Sequence, residues 1–367
     1  MRSMIAIEPV ADRRGVSAFH RAGREVLKPW PCARSTEDDV TRMLVGGRSA
    51  FHAHAEVRPH LIRAGGEVAG RVAFVHDRNL PGFVQAAFFE AAPGLDGVAE
   101  ALRRTAAACF PGVPRLVVGL NGHLNYSCGI LTNRFDEPPL FGFNWTPPHY
   151  PDCFAGMTAR PMVSFRFENE GFYELATAME TAFDPGPVRV RTMDRRNLRR
   201  EVAIYTHLNN ASFGEHPYWS DRTPDEDFEL FHPFRFLIRD ENLLFAEIDG
   251  KPVGFLLWYP DFNELVTRND ESIGALDVAR YRLANPIRTV RLTEIAVLPE
   301  HRRSTAVGAM ILRMIQHVRR GPYRFCEGGF IFEENSSCVG MTLRYISRAC
   351  GRPLEPYRRY ACYEAPL

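Results

Sequence analysis

With 367 residues, 45% of them hydrophobic, and a net charge of +1 at pH 7, the chain can fill two ordinary cores of roughly 150 residues each. The near-neutral charge gives no overall electrostatic ground for nucleic acid or an anionic membrane as partner, and no apolar run reaches the ~20 residues of a membrane span. The 8 cysteines contain no Cys-x-x-Cys pair, and no basic region followed by an apolar core opens the chain, so a reduced, cytoplasmic protein is expected.

In chain order, the residue pattern predicts a helix from about Thr36 to Leu44 and extended segments over Glu56 to Ala64, Val68 to His76 and Val84 to Ala91, with Gly65-Gly66 as a hairpin turn. A helix over Gly97 to Cys109 and a buried strand over Arg115 to Gly119 follow. His52 and His54 share a face of an extended stretch, but no further ligands complete a set, so no metal is expected. The stretch from about Phe167 to Pro187, acidic at first and ending in Asp184-Pro185-Gly186-Pro187, reads as a connection. The second half then repeats the plan. It has a strand at Val188 to Arg191, helices to about Ala211 and near Asp225 to Phe231, and strands at Leu243 to Ile248 and Val253 to Tyr259 around an Asp249-Gly250 turn. A strand through Gly329 to Phe332, a helix over Ser336 to Ala349 and a strand through Tyr360 to Glu364 end the chain. The division expected is residues 1–167, a connection over 168–187, and residues 188–367.

The most informative stretch runs from Arg291 to Gly308. Strict alternation places Val290, Leu292, Glu294 and Ala296 on one strand face and Thr293, Ile295 and Val297 on the other. Pro299 stops the strand, and Val307, Met310, Ile311, Met314, Ile315 and Val318 recur at helical spacing behind a Ser304 or Thr305 cap. His301, Arg302 and Arg303 sit at the positive end of that helix, where the macrodipole disfavours cations by up to ~1 kcal/mol each. A bound anion reverses that sign, and Ala306, Gly308 and Ala309 are small enough to let it approach the backbone.

This turn resembles the acyl-CoA loop of the GNAT superfamily of N-acetyltransferases, whose Gln/Arg-x-x-Gly-x-Gly/Ala pattern is met by Arg303-Ser304-Thr305-Ala306-Val307-Gly308, with Ala306 in place of the first glycine. More segments are similar to the YghO-like group of tandem GNAT proteins, which includes bacterial ceramide synthases. These are Gly70-Arg71-Val72 with Asp77-Arg78-Asn79, Phe88-Phe89-Glu90, Gly119-Leu120-Asn121 with Gly129-Ile130-Leu131 and Pro138-Pro139, Pro260-Asp261-Phe262-Asn263, Phe332-Glu333-Glu334-Asn335 and Tyr357-Arg358-Arg359-Tyr360. Leu120 and Ala159-Arg160-Pro161 depart from that group's pattern. The resemblance implies an α/β (α+β) fold of two tandem GNAT-like domains, each a mixed, mostly antiparallel sheet flanked by helices. It also implies acyl transfer from acyl-CoA or acyl carrier protein to an amine of a small molecule or lipid.

Within that expectation Glu294 is the candidate base, since burial on an apolar strand raises a carboxyl pKa toward neutrality; the alternative is a structural Glu paired with arginine. The resemblance makes Ile295, Ala296 and Val297 backbone contacts of the cofactor arm, joined by Arg302, Arg303, Ser304, Thr305, Ala306, Val307 and Gly308. Asn335 reads equally as an arm contact or a plain helix cap. Thr342 stands where the superfamily's acidic tyrosine is expected, so the proton donor is unassigned. In the first half Asp96 replaces the basic residues of the turn and would repel a diphosphate, which leaves one donor site and an acceptor-shaping first half. Asn125, Tyr126, Asp261 and Asn263 are candidate acceptor contacts. The competing readings are a tRNA-dependent aminoacyl transferase of the tandem GNAT type and a non-catalytic acyl-CoA-binding protein.

Overall fold

A computed structural model describes residues 5–34, 38–266 and 272–367. The first half contains β1 (Ile5–Pro9), α1 (Arg13–Leu27), α2 (Asp38–Leu44), β2 (Ala55–Ala64), β3 (Glu67–Asp77), β4 (Phe83–Ala91), α3 (Val98–Cys109), β5 (Arg115–Val118), β6 (Ile130–Leu131), α4 (Tyr150–Cys153) and β7 (Thr158–Glu168). Next come α5 (Glu170–Ala182), β8 (Arg189–Thr192), α6 (Leu198–Phe213), α7 (Pro224–Phe231), β9 (Leu243–Ile248), β10 (Lys251–Pro260) and α8 (Ala275–Ala284). The chain closes with β11 (Thr289–Val297), α9 (Ala306–Val318), β12 (Phe325–Phe332), α10 (Ser336–Cys350) and β13 (Arg359–Pro366). The predicted helix start at Thr36 lies outside the described residues.

The two expected hairpin turns form for the expected reason. Gly65 and Gly66 have φ of 59° and 89°, and Asp249 and Gly250 have 50° and 73°, the doubly positive backbone whose twist suits a two-residue hairpin. Each turn joins two strands of an antiparallel meander that ends in one parallel pair, β4 with β5 in the first half and β11 with β12 in the second.

The strands form a single sheet in the order β1-β2-β3-β4-β5-β13-β7-β12-β11-β10-β9-β8, with β6 also on β13. The centre of that order is an exchange. The last strand of the chain pairs with β5 of the first half, while β7 pairs with β12 of the second. The stretch from 168 to 187, read as a connection, carries α5, which packs on α9 and α10. Its Phe172 stacks on Phe167 at 4.5 Å between ring centroids.

The halves are also joined through polar groups. His54 sits in a short 3-10 turn before β2, not on a strand, and its ring nitrogens meet Asp77 at 2.7 Å and Glu226 of α7 at 3.2 Å. Those two carboxylate bonds outweigh burial and raise the imidazole pKa to about 9, so His54 is a charged clasp between β3 and α7. Glu229, one turn further along α7, accepts from Ser49 Oγ at 2.6 Å and the Ala50 N–H at 2.9 Å.

Candidate active site

The site begins where a parallel pair comes apart. β11 pairs with β12 from Thr289 to Leu292 and no further, whereas its antiparallel pairing with β10 continues to Val297. Beyond Leu292 one edge of β11 therefore faces a cleft. The register on β10 shifts between Leu257 and Trp258, leaving Thr293 as an extra residue, and such a bulge reverses the alternation of faces. This corrects the simple reading of the strand. Leu292, Ile295 and Val297 point into the core under α9, while Ala296 packs on the other face with Tyr205 and Phe255. Glu294 goes with Ala296, away from Leu292.

On that face Glu294 Oε2 accepts from the Tyr205 hydroxyl at 2.8 Å and from Asn209 Nδ2 at 2.6 Å. Tyr205 and Asn209 are one turn apart on α6 and so reach the same acceptor. The Tyr205 oxygen in turn accepts from Asn125 Nδ2 at 3.2 Å, which ties the first half to the carboxylate. Burial raises the Glu294 pKa; the bonds from Tyr205 and Asn209 oppose it, Asp227 adds to the rise and Arg222 opposes it. A carboxylate with a raised pKa is a stronger base than an ordinary one and so better suited to take a proton from an amine. Tyr205→Phe should remove a bond that favours the charged form and move the acid limb of the rate profile to higher pH. An unshifted limb in a pH–kcat/KM series would show that the Tyr205 bond does not tune Glu294.

On the opposite face, the turn after β11 leads into α9. Thr305 occupies the N-cap without a side-chain cap bond, its hydroxyl donating instead to the Pro185 carbonyl at 2.6 Å. Ser304 Oγ takes the Ala306 N–H at 3.3 Å. Ala306 starts the helix with ordinary backbone angles, so the missing glycine costs the turn nothing. Arg302 and Arg303 are exposed, and Arg302 reaches the Ser212 carbonyl at 3.5 Å. The space beside Gly308 is taken by Phe183, whose ring lies 3.0 Å from where a Cβ would be.

A cavity of about 650 Å³ links these parts. At one end lie Glu294, Asn125, Phe213, His216 and Trp219, and at the α9 turn Arg302, Ser304 and Gly308. It then continues as an apolar channel between the sheet, through Phe165, Phe167, Cys326 and Gly328, and the three helices α5, α9 and α10. From Ile331 to Cys326 the channel follows β12 over five residue steps, about 16 Å at ~3.3 Å per residue. Asn335 borders the channel and also caps α10, its Oδ1 accepting from the Cys338 N–H at 3.1 Å, so both of its expected roles are compatible with its place. Thr342 lines the wall as well.

The remaining predicted contacts lie elsewhere. Asp261 accepts from the Phe141 N–H at 2.8 Å, and Asn263 Nδ2 donates to the Pro139 carbonyl at 3.0 Å. Both are buried and hold the 139–141 loop, and burial pushes the Asp261 pKa up to about 7. Tyr126 is buried under the Arg222 guanidinium, 4.9 Å from its ring centroid. Tyr205, Asn209 and His216 were not singled out from sequence. For the first two the available signal was a polar i, i+4 pair on the buried face of an apolar helix.

The first half has the same opening with different contents. Its parallel pairing runs from Phe83 to Ala86 and stops. Matching Ala86 to Leu292 by the parallel register places Phe88 at the position of Glu294. Phe88 has φ of 53° and a buried apolar side chain, so that opening lacks the carboxylate.

No family model matches this chain. A tandem GNAT protein from the clavulanic acid biosynthesis pathway has a similar structure, with a TM-score of 0.55 and 14% identity over 99% of this chain and 98% of that one. An Enterococcus faecalis V583 protein described as a probable N-acyltransferase gives a TM-score of 0.52 at 9% identity, covering 100% and 73% of the two chains. The fold is that of a tandem GNAT protein, a mixed and mostly antiparallel sheet flanked by helices. In sequence the chain is similar to Protein YghO of Escherichia coli K12, 23% identical over 67% of this chain, and to the bacterial ceramide synthase of Caulobacter vibrioides, 25% identical over 62% of it. The matches take in 64% and 62% of those proteins, so the chain spans under two thirds of either relative's length.

Proposed function

We propose that the protein is an N-acyltransferase that moves a long-chain acyl group from acyl-CoA, or from acyl carrier protein, directly to an amine of a small molecule or lipid. The observation that carries this reading is the continuous cavity, which joins a carboxylate with a raised pKa, a basic helix start whose N-cap Thr305 makes no side-chain cap bond, and an apolar channel of about 16 Å at ~3.3 Å per strand residue. In this reading the diphosphate of the donor lies on the first turn of α9, where backbone N–H groups, Arg302 and Arg303 favour an anion. The pantetheine takes the free edge of β11 at Ile295, Ala296 and Val297, beside Asn335. Glu294 accepts the proton of the attacking amine, the new C–N bond forms as the C–S bond breaks, and the thiolate leaves. The thioester oxyanion is met by backbone N–H on the unpaired strand edge. The relatives' names, one of them a ceramide synthase, support a lipid amine as acceptor.

The test is a series of acyl-CoA donors of decreasing chain length. Each methylene withdrawn from an apolar channel costs about 0.8 kcal/mol, so kcat/KM should fall roughly fifteen-fold for each two carbons removed. Gly328→Leu should flatten that series. A Cβ at Gly328 meets nothing nearer than 3.8 Å, and the residue lines the channel, so the larger side chain blocks the path without straining the strand. A flat series in the unmodified protein, or no release of thiol with any amine, would remove the proposal.

A further inference from the structure

We infer that α8, with the adjoining loop at Phe236, is a docking surface for an anionic lipid bilayer. Leu276 and Leu283 are 85% and 87% exposed. Seven residues apart, they fall on one line of the helix, separated by about 10 Å. Phe236, 58% exposed, lies on a loop fixed to α8, since Arg282 of α8 donates to the Phe236 carbonyl at 2.9 and 2.6 Å and to the Ile238 carbonyl at 3.0 Å. The opposite side of α8 is anchored by Tyr281, fully buried against Phe262 and Ile287. Among the described residues the apolar ridge is thus preformed and unpartnered, and exposed large side chains on one face of a short helix suit the headgroup boundary of a membrane.

Charge selects the lipid. Arg280 and Arg282 lie on the same helix and Arg235 stacks on the Phe236 ring at 4.3 Å, against the single acid Asp277 on α8, whose carboxylate is already bonded to the Gly274 N–H at 2.9 Å. Arg195 is paired with Asp240 at 2.6 Å and Arg239 offsets Glu241 near Arg282, so the balance among the described residues stays basic in a chain whose overall charge is +1, and clustered arginines beside apolar side chains favour anionic headgroups. The ridge also borders an opening. Phe236, Ile273 and Ala275 line the mouth of a second cavity of about 990 Å³ that runs between the halves toward α1 and β4. No helix among the described residues is long and apolar enough to cross a membrane, so the contact is peripheral.

This surface goes beyond the transferase reading, and its test requires no acyl transfer. The full chain is floated with vesicles of phosphatidylglycerol and phosphatidylcholine, and with phosphatidylcholine alone. The protein should rise with the anionic vesicles, less with the neutral ones, and less at high salt. Leu276→Ser with Leu283→Ser should weaken the partition on the order of a hundred-fold, with an unchanged melting temperature because both side chains are in water. Failure of the unmodified protein to float, or equal flotation of the double variant, overturns the inference. So does a dimer seen by light scattering that the same two substitutions dissolve, since the ridge would then belong to a second copy.

Discussion

Glu294→Gln should lower kcat by 10²- to 10⁴-fold, the usual contribution of a positioned general base, while leaving donor binding intact. The separation is geometric. Glu294 faces α6, where Tyr205 and Asn209 hold it, and the channel and the α9 turn lie on the other face of β11. Thermal protection by a long-chain acyl-CoA should therefore persist in Glu294→Gln and be lost in Arg303→Glu. Gln keeps the shape and can still accept the Tyr205 bond, so loss of activity with retained protection isolates the proton transfer. Activity within a few-fold of the unmodified protein would assign Glu294 a structural role, and attack by an already neutral amine would then suffice.

Arg222→Ala should destabilise the fold by about 3–5 kcal/mol, the cost of leaving a buried charge without its partner. Arg222 Nη2 and Asp227 Oδ1 lie 2.6 Å apart with side chains 1% and 2% exposed, and Thr206 Oγ1 also donates to Asp227 at 2.7 Å. Burial raises the Asp227 pKa against the pull of Arg222. Without the guanidinium that rise should grow, and the carboxyl should be forced to protonate or admit water. Replacing both residues with apolar ones of similar volume, Arg222→Met with Asp227→Leu, should recover most of the loss. Chemical denaturation of the two variants beside the unmodified protein checks this. Equal destabilisation by the single and double changes would mean that packing on Tyr126, and not charge pairing, is what Arg222 provides.

How legible this was from sequence differs from one residue to the next. The meanders and their turns follow from alternation and from Gly65-Gly66 and Asp249-Gly250, because a two-residue hairpin admits few residue types. Glu294 stands out as the one acid in an apolar strand, yet its face does not, since a bulge at Thr293 leaves no mark in the residue pattern. α5 was hidden by its acidic start and by Asp184-Pro185-Gly186-Pro187 beyond it, although Ala176 and Met179 keep helical spacing. In β7, Val163, Phe165 and Phe167 do alternate; what the sequence cannot express is that this strand pairs with β12, and β13 with β5, across the halves. Asp261 and Asn263 illustrate the reverse. Polar residues in a turn read as ligand contacts, but a buried loop has N–H and carbonyl groups of its own to satisfy, and these two side chains satisfy them.

The most direct test of the central claim is a crystal structure with a long-chain acyl-CoA analogue whose thioester is replaced by a thioether. The account predicts one bound molecule, with its diphosphate on the first turn of α9 beside Arg302 and Arg303, its sulfur near Glu294, and its chain running past Gly328 between α5, α9 and α10. A chain lying instead in the cavity between the halves beside Phe88, or a diphosphate away from α9, would contradict it.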